Sequence, residues 1–456
     1  MFDLLSPRRL FGWFLSRRAV VCFGETHLDT IATSEEQVAD GGVHVGKIVH
    51  AVGGHAFNVA SNLAREDIDN KLKVRLFTVL PAYSILSQVF YRKMRENRIG
   101  TAYVHSLKDI NERPVRGGGY VALMSEKDHI TRHAVNEPAL NRVDLFGTME
   151  CGKRARKAVK WGETFVAAGS LSAETLSHLL RSVKNQSAPL FVILGSVAEG
   201  RTNWLDAAPE EVGECTALCA RLDVLLGTLE DRVPPLVIGT LKQSANGSDA
   251  ATLKAHAAEI CRALGVKHVV WVSAAPDEKG EVACSFSAIA ANQSVMSFRA
   301  SDDVNERLRE GNSAGLADAA LSGFIRAYHT LAKRRSGRRD PVPTLDFDNP
   351  DVQRSVKYQI SRIASHVAES RGATPGSVIS LEEEESLHSR WVQGVRYLKM
   401  AIDVTGVRYL LNGLLTIIGA AVVAYLLINY GVCETRFAPY LRFCPAYIHT
   451  SLGTHG

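Results

Sequence analysis

The feature that most limits what this chain can fold into is a repeated alternation of short apolar runs with amphipathic stretches. Ala19 to Phe23 (AVVCF), VRLFTVL, TFVAAG, LFVILG, LDVLLG and HVVWVS read as strands, each apolar nearly throughout. Between the later runs lie AETLSHLLRSVKN and LKAHAAEICRALG, whose apolar residues recur at helical spacing. Strand then helix, repeated, predicts a mostly parallel sheet with helices on both faces, an α/β fold. From Lys47 to about His133 strand-like segments such as YVALM outnumber helical ones. This predicts a small β insertion beside the main sheet.

At 456 residues, 46% hydrophobic and 22% charged, the chain can bury a sizeable core. A net charge of +5 is too slight to argue for a nucleic-acid partner. Of the eight cysteines, Cys22, Cys151, Cys215, Cys219, Cys261 and Cys284 are scattered through the first part of the chain. Cys215 and Cys219 have the spacing of one helical turn, but no second Cys or His pair accompanies them, so buried packing is expected and no metal. Cys433 and Cys444 can pair if they face an oxidising compartment; two free thiols fit equally well.

The two ends differ from the middle. MFDLLSPRRLFGWFLSRRAV mixes Arg with Phe, Leu and Trp, and residues 1–18 have the character of a mitochondrial targeting segment. The plainer reading is a basic amphipathic helix lying on a surface. The run KRRSGRRDPVPTLDFDNPD, which begins at Lys333, is expected to be a linker. A helix is expected from about Val352 to Glu369, and a second after Ser380, which serves as N-cap for Glu382 to Glu385. Tyr409 to Cys433 carries no charge. A helix crossing a bilayer core of about 30 Å needs roughly 20 apolar residues, so residues 405–433 are expected to span a membrane. Arg396, Lys399 and Arg408 before this run slightly outnumber Arg436 and Arg442 after it. That imbalance places the large domain on the inner side. Residues 434–456 then form a short tail.

Three motifs carry candidate chemistry. Gly24-Glu25-Thr26-His27-Leu28-Asp29 puts acids after the first strand, where a carboxylate can accept from a polyol. Gly53-Gly54-His55-Ala56-Phe57-Asn58 is a glycine pair, which admits close approach of backbone to a ligand, followed by an amide able to bond a sugar hydroxyl. Asn312-Ser313-Ala314-Gly315-Leu316-Ala317-Asp318 sets small residues and an acid before an apolar helix. A helix N-terminus there binds developing negative charge, and an Asp can accept a hydroxyl proton.

With these residues the chain resembles the ribokinase (PfkB-type) carbohydrate kinases over about Ala19 to Lys333. The resemblance implies a three-layer α/β/α sandwich with a small β lid. It also implies ATP and Mg²⁺ as cofactors and phosphorylation of a sugar or nucleoside. Gly53, Gly54, Asn58 and Asp29 match the family's substrate side. Asp318 matches its base and Gly315 its first signature glycine, while Ala317 replaces the second glycine and Asn312 the leading acid. The departures gather on the nucleotide side. VLPAYSILSQ lacks the expected Gly and Asp, and Gly195 stands where an acid is expected. Gly227-Thr228-Leu229-Glu230 keeps only the Glu of an Asn-x-x-Glu motif, and Ser273-Ala274-Ala275 replaces Thr-x-Gly. Ser273 and Glu230 are thus what remains of a nucleotide site. Asp318 is either a working base or a helix N-cap, and Asp29 and Asn58 either bind ligand or support the fold.

These losses lead to three expectations. The first is an inactive kinase fold serving as accessory subunit of a mitochondrial inner-membrane, respiratory-type complex. It is anchored by one span, faces the matrix, and contacts lipid and other membrane-protein subunits without a cofactor. The second is an active, tethered sugar or nucleoside kinase using Asp318. The third is a ligand sensor that keeps the sugar or nucleoside pocket.

Overall fold

The structure, a computed structural model, describes residues 19–34, 46–65, 72–82, 84–110, 113–115, 118–125, 131–137, 140, 142–196, 203–207, 214–244, 250–276, 282–309, 315–333, 343–369 and 416. The targeting-like start, Asn312 to Ala314, Arg334 to Arg339 of the KRRSGRR run, the helix after Ser380, Cys433, Cys444 and the Tyr409–Cys433 run (Thr416 apart) lie outside them. No described helix is long and apolar enough to cross a membrane. The chain divides into two compact units, Met1–Ser380 and Leu381–Gly456, and the strands and helices named below all belong to the first.

Nine strands form the main sheet: β1 (Ala19–Phe23), β4 (Lys73–Pro81), β5 (Gly100–Leu107), β10 (Thr164–Ala168), β11 (Leu190–Leu194), β12 (Ala217–Arg221), β13 (His268–Pro276), β14 (Val282–Ala290) and β15 (Val295–Arg299). Their order is β15-β14-β13-β12-β11-β10-β1-β4-β5. Pairing is parallel from β5 through β13 and antiparallel across β14 and β15. The helices are α1 (His55–Ala64), α2 (Ile85–Glu96), α3 (Met149–Trp161), α4 (Ala173–Gln186), α5 (Leu205–Ala207), α6 (Leu222–Leu229), α7 (Pro235–Ser244), α8 (Ala250–Ala263), α9 (Asp302–Arg309), α10 (Leu316–Lys333) and α11 (Pro350–Ala368).

Both faces of the sheet are covered. Val21, Phe23, Phe165 and Val192 pack with α3, α4, α6, α7 and α8. On the other face Phe191 meets Phe324 and Tyr328 of α10 edge-on. Side-chain caps start these helices where the sequence offers them: Thr148 accepts from Cys151 N–H, and Ser172 from Thr175 N–H. The β insertion is a separate four-stranded sheet, β3-β2-β8-β9, built from β2 (His27–Ser34), β3 (Gly46–Gly53), β8 (Gly118–Ser125) and β9 (Thr131–Glu137). β6 (Asp109–Ile110) and β7 (Arg113–Pro114) make a small hairpin.

Three expectations change. LDVLLG is not a strand but most of α6; a short apolar run cannot distinguish a buried strand from a buried helix. The strand is the preceding ALCAR, whose small residues carry a weak β signal. Cys219 consequently lies in β12 and Cys215 in an isolated bridge, not one helical turn apart, and both thiols are buried. The folded unit also continues past Lys333. Asn349 caps α11 through Asp351 N–H, with Pro350 in the first turn, and Val352, Val356, Ile360, Ile363 and Val367 are buried. Just before α11, Leu345 N–H donates to His268 Nε2 (2.8 Å), whose Nδ1 lies 2.6 Å from Thr216 O. Burial holds the His268 pKa down to about 4, so the ring is neutral and both nitrogens are used. Phe347 closes the contact against His268 and Phe324.

Candidate functional site

The start of α1 sets one wall of the site. Gly54 has φ +93°, and a Cβ there would stand 2.6 Å from the Glu25 carbonyl oxygen. Only glycine makes this turn at little cost. It leads into α1, where His55 and Asn58 are three residues apart and share a helix face. Arg326 of α10 donates to Leu63 O (2.6 Å) and Asn62 O (3.4 Å), so the carbonyl end of α1 is tied to α10.

That tie brings the first turn of α10 against His55 and Asn58. Asn58 Nδ2 donates to Asp318 Oδ2 at 2.8 Å, and His55 Nδ1 lies 2.7 Å from Asp318 Oδ1. The Asp318 side chain is only 2% exposed. Both carboxylate oxygens are thereby engaged by side chains some 260 residues away in sequence. Losing one donor leaves a buried charge under-satisfied, which costs about 1–3 kcal/mol. His55→Ala is therefore expected to lower stability by about 2 kcal/mol in urea unfolding; an unchanged midpoint would mean the pair contributes nothing.

Asp29 of β2 lies against Gly53, where a methyl group would run into its carboxylate. Burial pushes its pKa up to about 7; His27 and His55 offset this in part, and the Asp318 charge adds to it. Asp29 Oδ1 and Asn58 Oδ1 are buried acceptors without a partner among the described residues. Tyr120 of β8 pairs in register with Asp29. Burial and the Asp29 charge raise its pKa, opposed by Arg221. Glu25 accepts from Leu140 N–H (2.5 Å) and meets His27 Nε2 at 2.9 Å.

The other wall lies beside the N-terminus of α10, where Gly315 has φ +80°. A cleft of about 400 Å³ there is lined by Arg221, Asp223, Val272, Ser273, Cys284 and Ala317, among others. Arg221 donates to Asp223 through Nε (3.0 Å) and Nη2. Burial raises the Asp223 pKa, but the Arg221 hydrogen bonds and charge outweigh it, leaving the pKa below the usual value.

The structure thus gathers Asp29, Gly53, Gly54, Asn58, Gly315 and Asp318 into one region and lines the adjoining cleft with Ser273. Glu230 is placed elsewhere. Because LDVLLG is helical, Glu230 is the exposed C-cap of α6, at the far end from Arg221, and does not line the cleft. Sequence reasoning missed His55, Tyr120, Arg221 and Asp223. His55 sits inside the GGHAFN motif and was the most findable of these. Among the described residues, no three His, Cys, Asp or Glu side chains converge as a metal cluster would.

No protein-family model matches the chain, and no curated protein matches it in sequence. Solved structures do match in shape. Ribokinase from Giardia lamblia superposes with TM-score 0.54 at 12% identity, over 81% of this chain and 99% of that one. A carbohydrate kinase from Agrobacterium tumefaciens gives 0.52 at 16% identity, over 81% and 96%. Ribokinase from Arabidopsis thaliana, solved with ribose and ATP, gives 0.52 at 11%, over 82% and 99%. The fold is that of the ribokinase-type carbohydrate kinases. In this fold the Asp29–Asp318 site lies where β2 and β3 of the four-stranded sheet run into β1 and α1.

ATP and Mg²⁺, expected from the sequence resemblance, would meet unequal walls in this cleft. Leu222, Leu226 and Val272 offer an apolar wall for a base. Oxygen ligands for Mg²⁺ are poorer: Asp223, the carboxylate lining the cleft, is already bound by the Arg221 guanidinium.

Proposed function

We propose that this chain is a ribokinase-fold binding protein that holds a hydroxyl-rich ligand, a sugar or nucleoside, without transferring phosphate to it. The observation that carries this reading is the clamp on Asp318. A general base must reach the proton it takes, and this carboxylate is buried with both oxygens engaged by His55 and Asn58. The Arg221–Asp223 pair in the adjoining cleft supports it. The orphaned acceptors of Asp29 and Asn58 support retention of a ligand, since hydroxyl donors satisfy them. Thermal melts with a panel of sugars and nucleosides test this. Stabilisation by one of them, with none from ATP and Mg²⁺ at millimolar concentration, is the expected result.

A second reading, an active kinase, draws on Gly315 and the N-terminus of α10 beside the cleft. ADP release by the wild type, abolished in Asp318→Asn, would establish it and overturn the first.

The proposal extends to placement: an accessory subunit of a mitochondrial inner-membrane complex, held by the uncharged Tyr409–Cys433 run. The chain should resist carbonate extraction and run far above its 49.7 kDa mass in blue-native gels after gentle detergent. Migration as a monomer would end that part of the reading.

A further inference from the structure

The outer face of α3 is rich in lysine and arginine. Cys151, Gly152, Ala155, Ala158 and Val159 are buried, while Lys153, Arg154, Arg156, Lys157 and Lys160 are exposed. At 100° per residue these five cations fall on one continuous arc opposite the buried stripe. Met149 and Trp161, at the two ends of the helix, are 91% and 60% exposed. Glu150 is the one acid in the helix sequence. Arg154 and Arg156 are each anchored through Nη1, to Val104 O and Phe146 O. Lys153, Lys157 and Lys160 have no ion pair among the described residues. Beside this face a cleft of about 600 Å³ opens between α3 and α4, with Arg156, Lys160, His178 and Ser182 on its walls. Phe146 stacks on His178 at 5.2 Å, and Asp144 lies 3.8 Å from the same ring.

We infer that this face of α3 is a docking surface for anionic lipid headgroups, with the α3–α4 cleft receiving a headgroup phosphate. Charge complementarity points to an anionic occupant. The residue types choose among anionic occupants: protein interfaces are depleted in lysine, whereas basic helices with an exposed Trp suit bilayer surfaces. The same chain carries the uncharged run Tyr409–Cys433, long enough for the membrane span proposed above. In that respect the inference rests on the proposed membrane placement.

The test uses the full chain reconstituted in nanodiscs of phosphatidylcholine alone and of phosphatidylcholine with phosphatidylserine. The signal of Trp161, one of five tryptophans, is isolated by subtracting the Trp161→Phe spectrum. With phosphatidylserine, Trp161 emission should shift to the blue and acrylamide quenching should fall severalfold. Each lysine near an anionic surface is worth about fivefold in the docking equilibrium. The triple variant Lys153→Gln, Lys157→Gln, Lys160→Gln should therefore lose on the order of a hundredfold and abolish the shift. Salt at about 0.5 M should abolish it in the unaltered chain. Equal signals in the two discs, or no shift in either, overturn the inference, as does equal protection by an oligonucleotide or an acidic protein. If the chain fails to enter any disc, it is the membrane placement that fails. Flotation with phosphatidylserine vesicles then decides α3 separately: lysine-dependent flotation upholds the surface, and its absence overturns it.

Discussion

Asp29→Asn should stabilise this protein at about pH 8 by up to about 4 kcal/mol and change little at about pH 4. The carboxyl is buried among His27, His55 and Asp318, and its pKa is raised to about 7 from an ordinary 3.8. Between those two values the folded chain keeps a proton that the unfolded chain has released. Stability therefore falls as pH rises through this window, and above about pH 7 the full cost of the buried charge is present. Asparagine has nearly the same shape and no charge to bury. Urea unfolding of both proteins across pH measures the difference. An effect of the same size at both ends of the range would show that Asp29 does not titrate this way. The same substitution bears on ligand binding, because the unpartnered Oδ1 is one of the two acceptors offered to a hydroxyl.

Gly323→Val should cost about 3 kcal/mol, through a different mechanism. Gly323 is where α10 passes α11. A Cβ there would stand 2.5 Å from Ile360 Cα, 2.7 Å from Ile360 N and 2.9 Å from Gln359 C. These are backbone atoms, so no rotamer change relieves the overlap and α11 must move. Moving it uncovers Val352, Val356, Ile360, Ile363 and Val367, each worth about 1.5–3 kcal/mol when fully buried. The loss is read in chemical unfolding and in faster amide exchange across 350–368. Exchange in α11 as slow as in the unaltered protein would mean the two helices are not packed in this way.

The two substitutions mark where sequence reading reached and where it stopped. Ala19–Phe23, Leu190–Leu194 and the helices at Ala173–Gln186 and Ala250–Ala263 were legible because each buries its own apolar pattern, and pattern is a local property. The glycine pair Gly53-Gly54 was legible for a related reason: a backbone that must turn at positive φ constrains residue type on the spot. LDVLLG was not legible, because a short run dominated by Leu and Val suits a buried helix and a buried strand equally.

By itself, then, the sequence determined an α/β chain with a β insertion, its turn glycines, and an uncharged run near its end. Only the tertiary structure decided that Asp318 is held by His55 and Asn58, that Asp29 is buried beside them, that Glu230 is carried away, and that residues 343–369 complete the domain. The physical reason is one of range. Periodicity and turn chemistry act over a few residues and are written along the chain. Desolvation, carboxylate pairing and helix–helix contact depend on groups hundreds of residues apart, and these acquire neighbours only when the chain has folded.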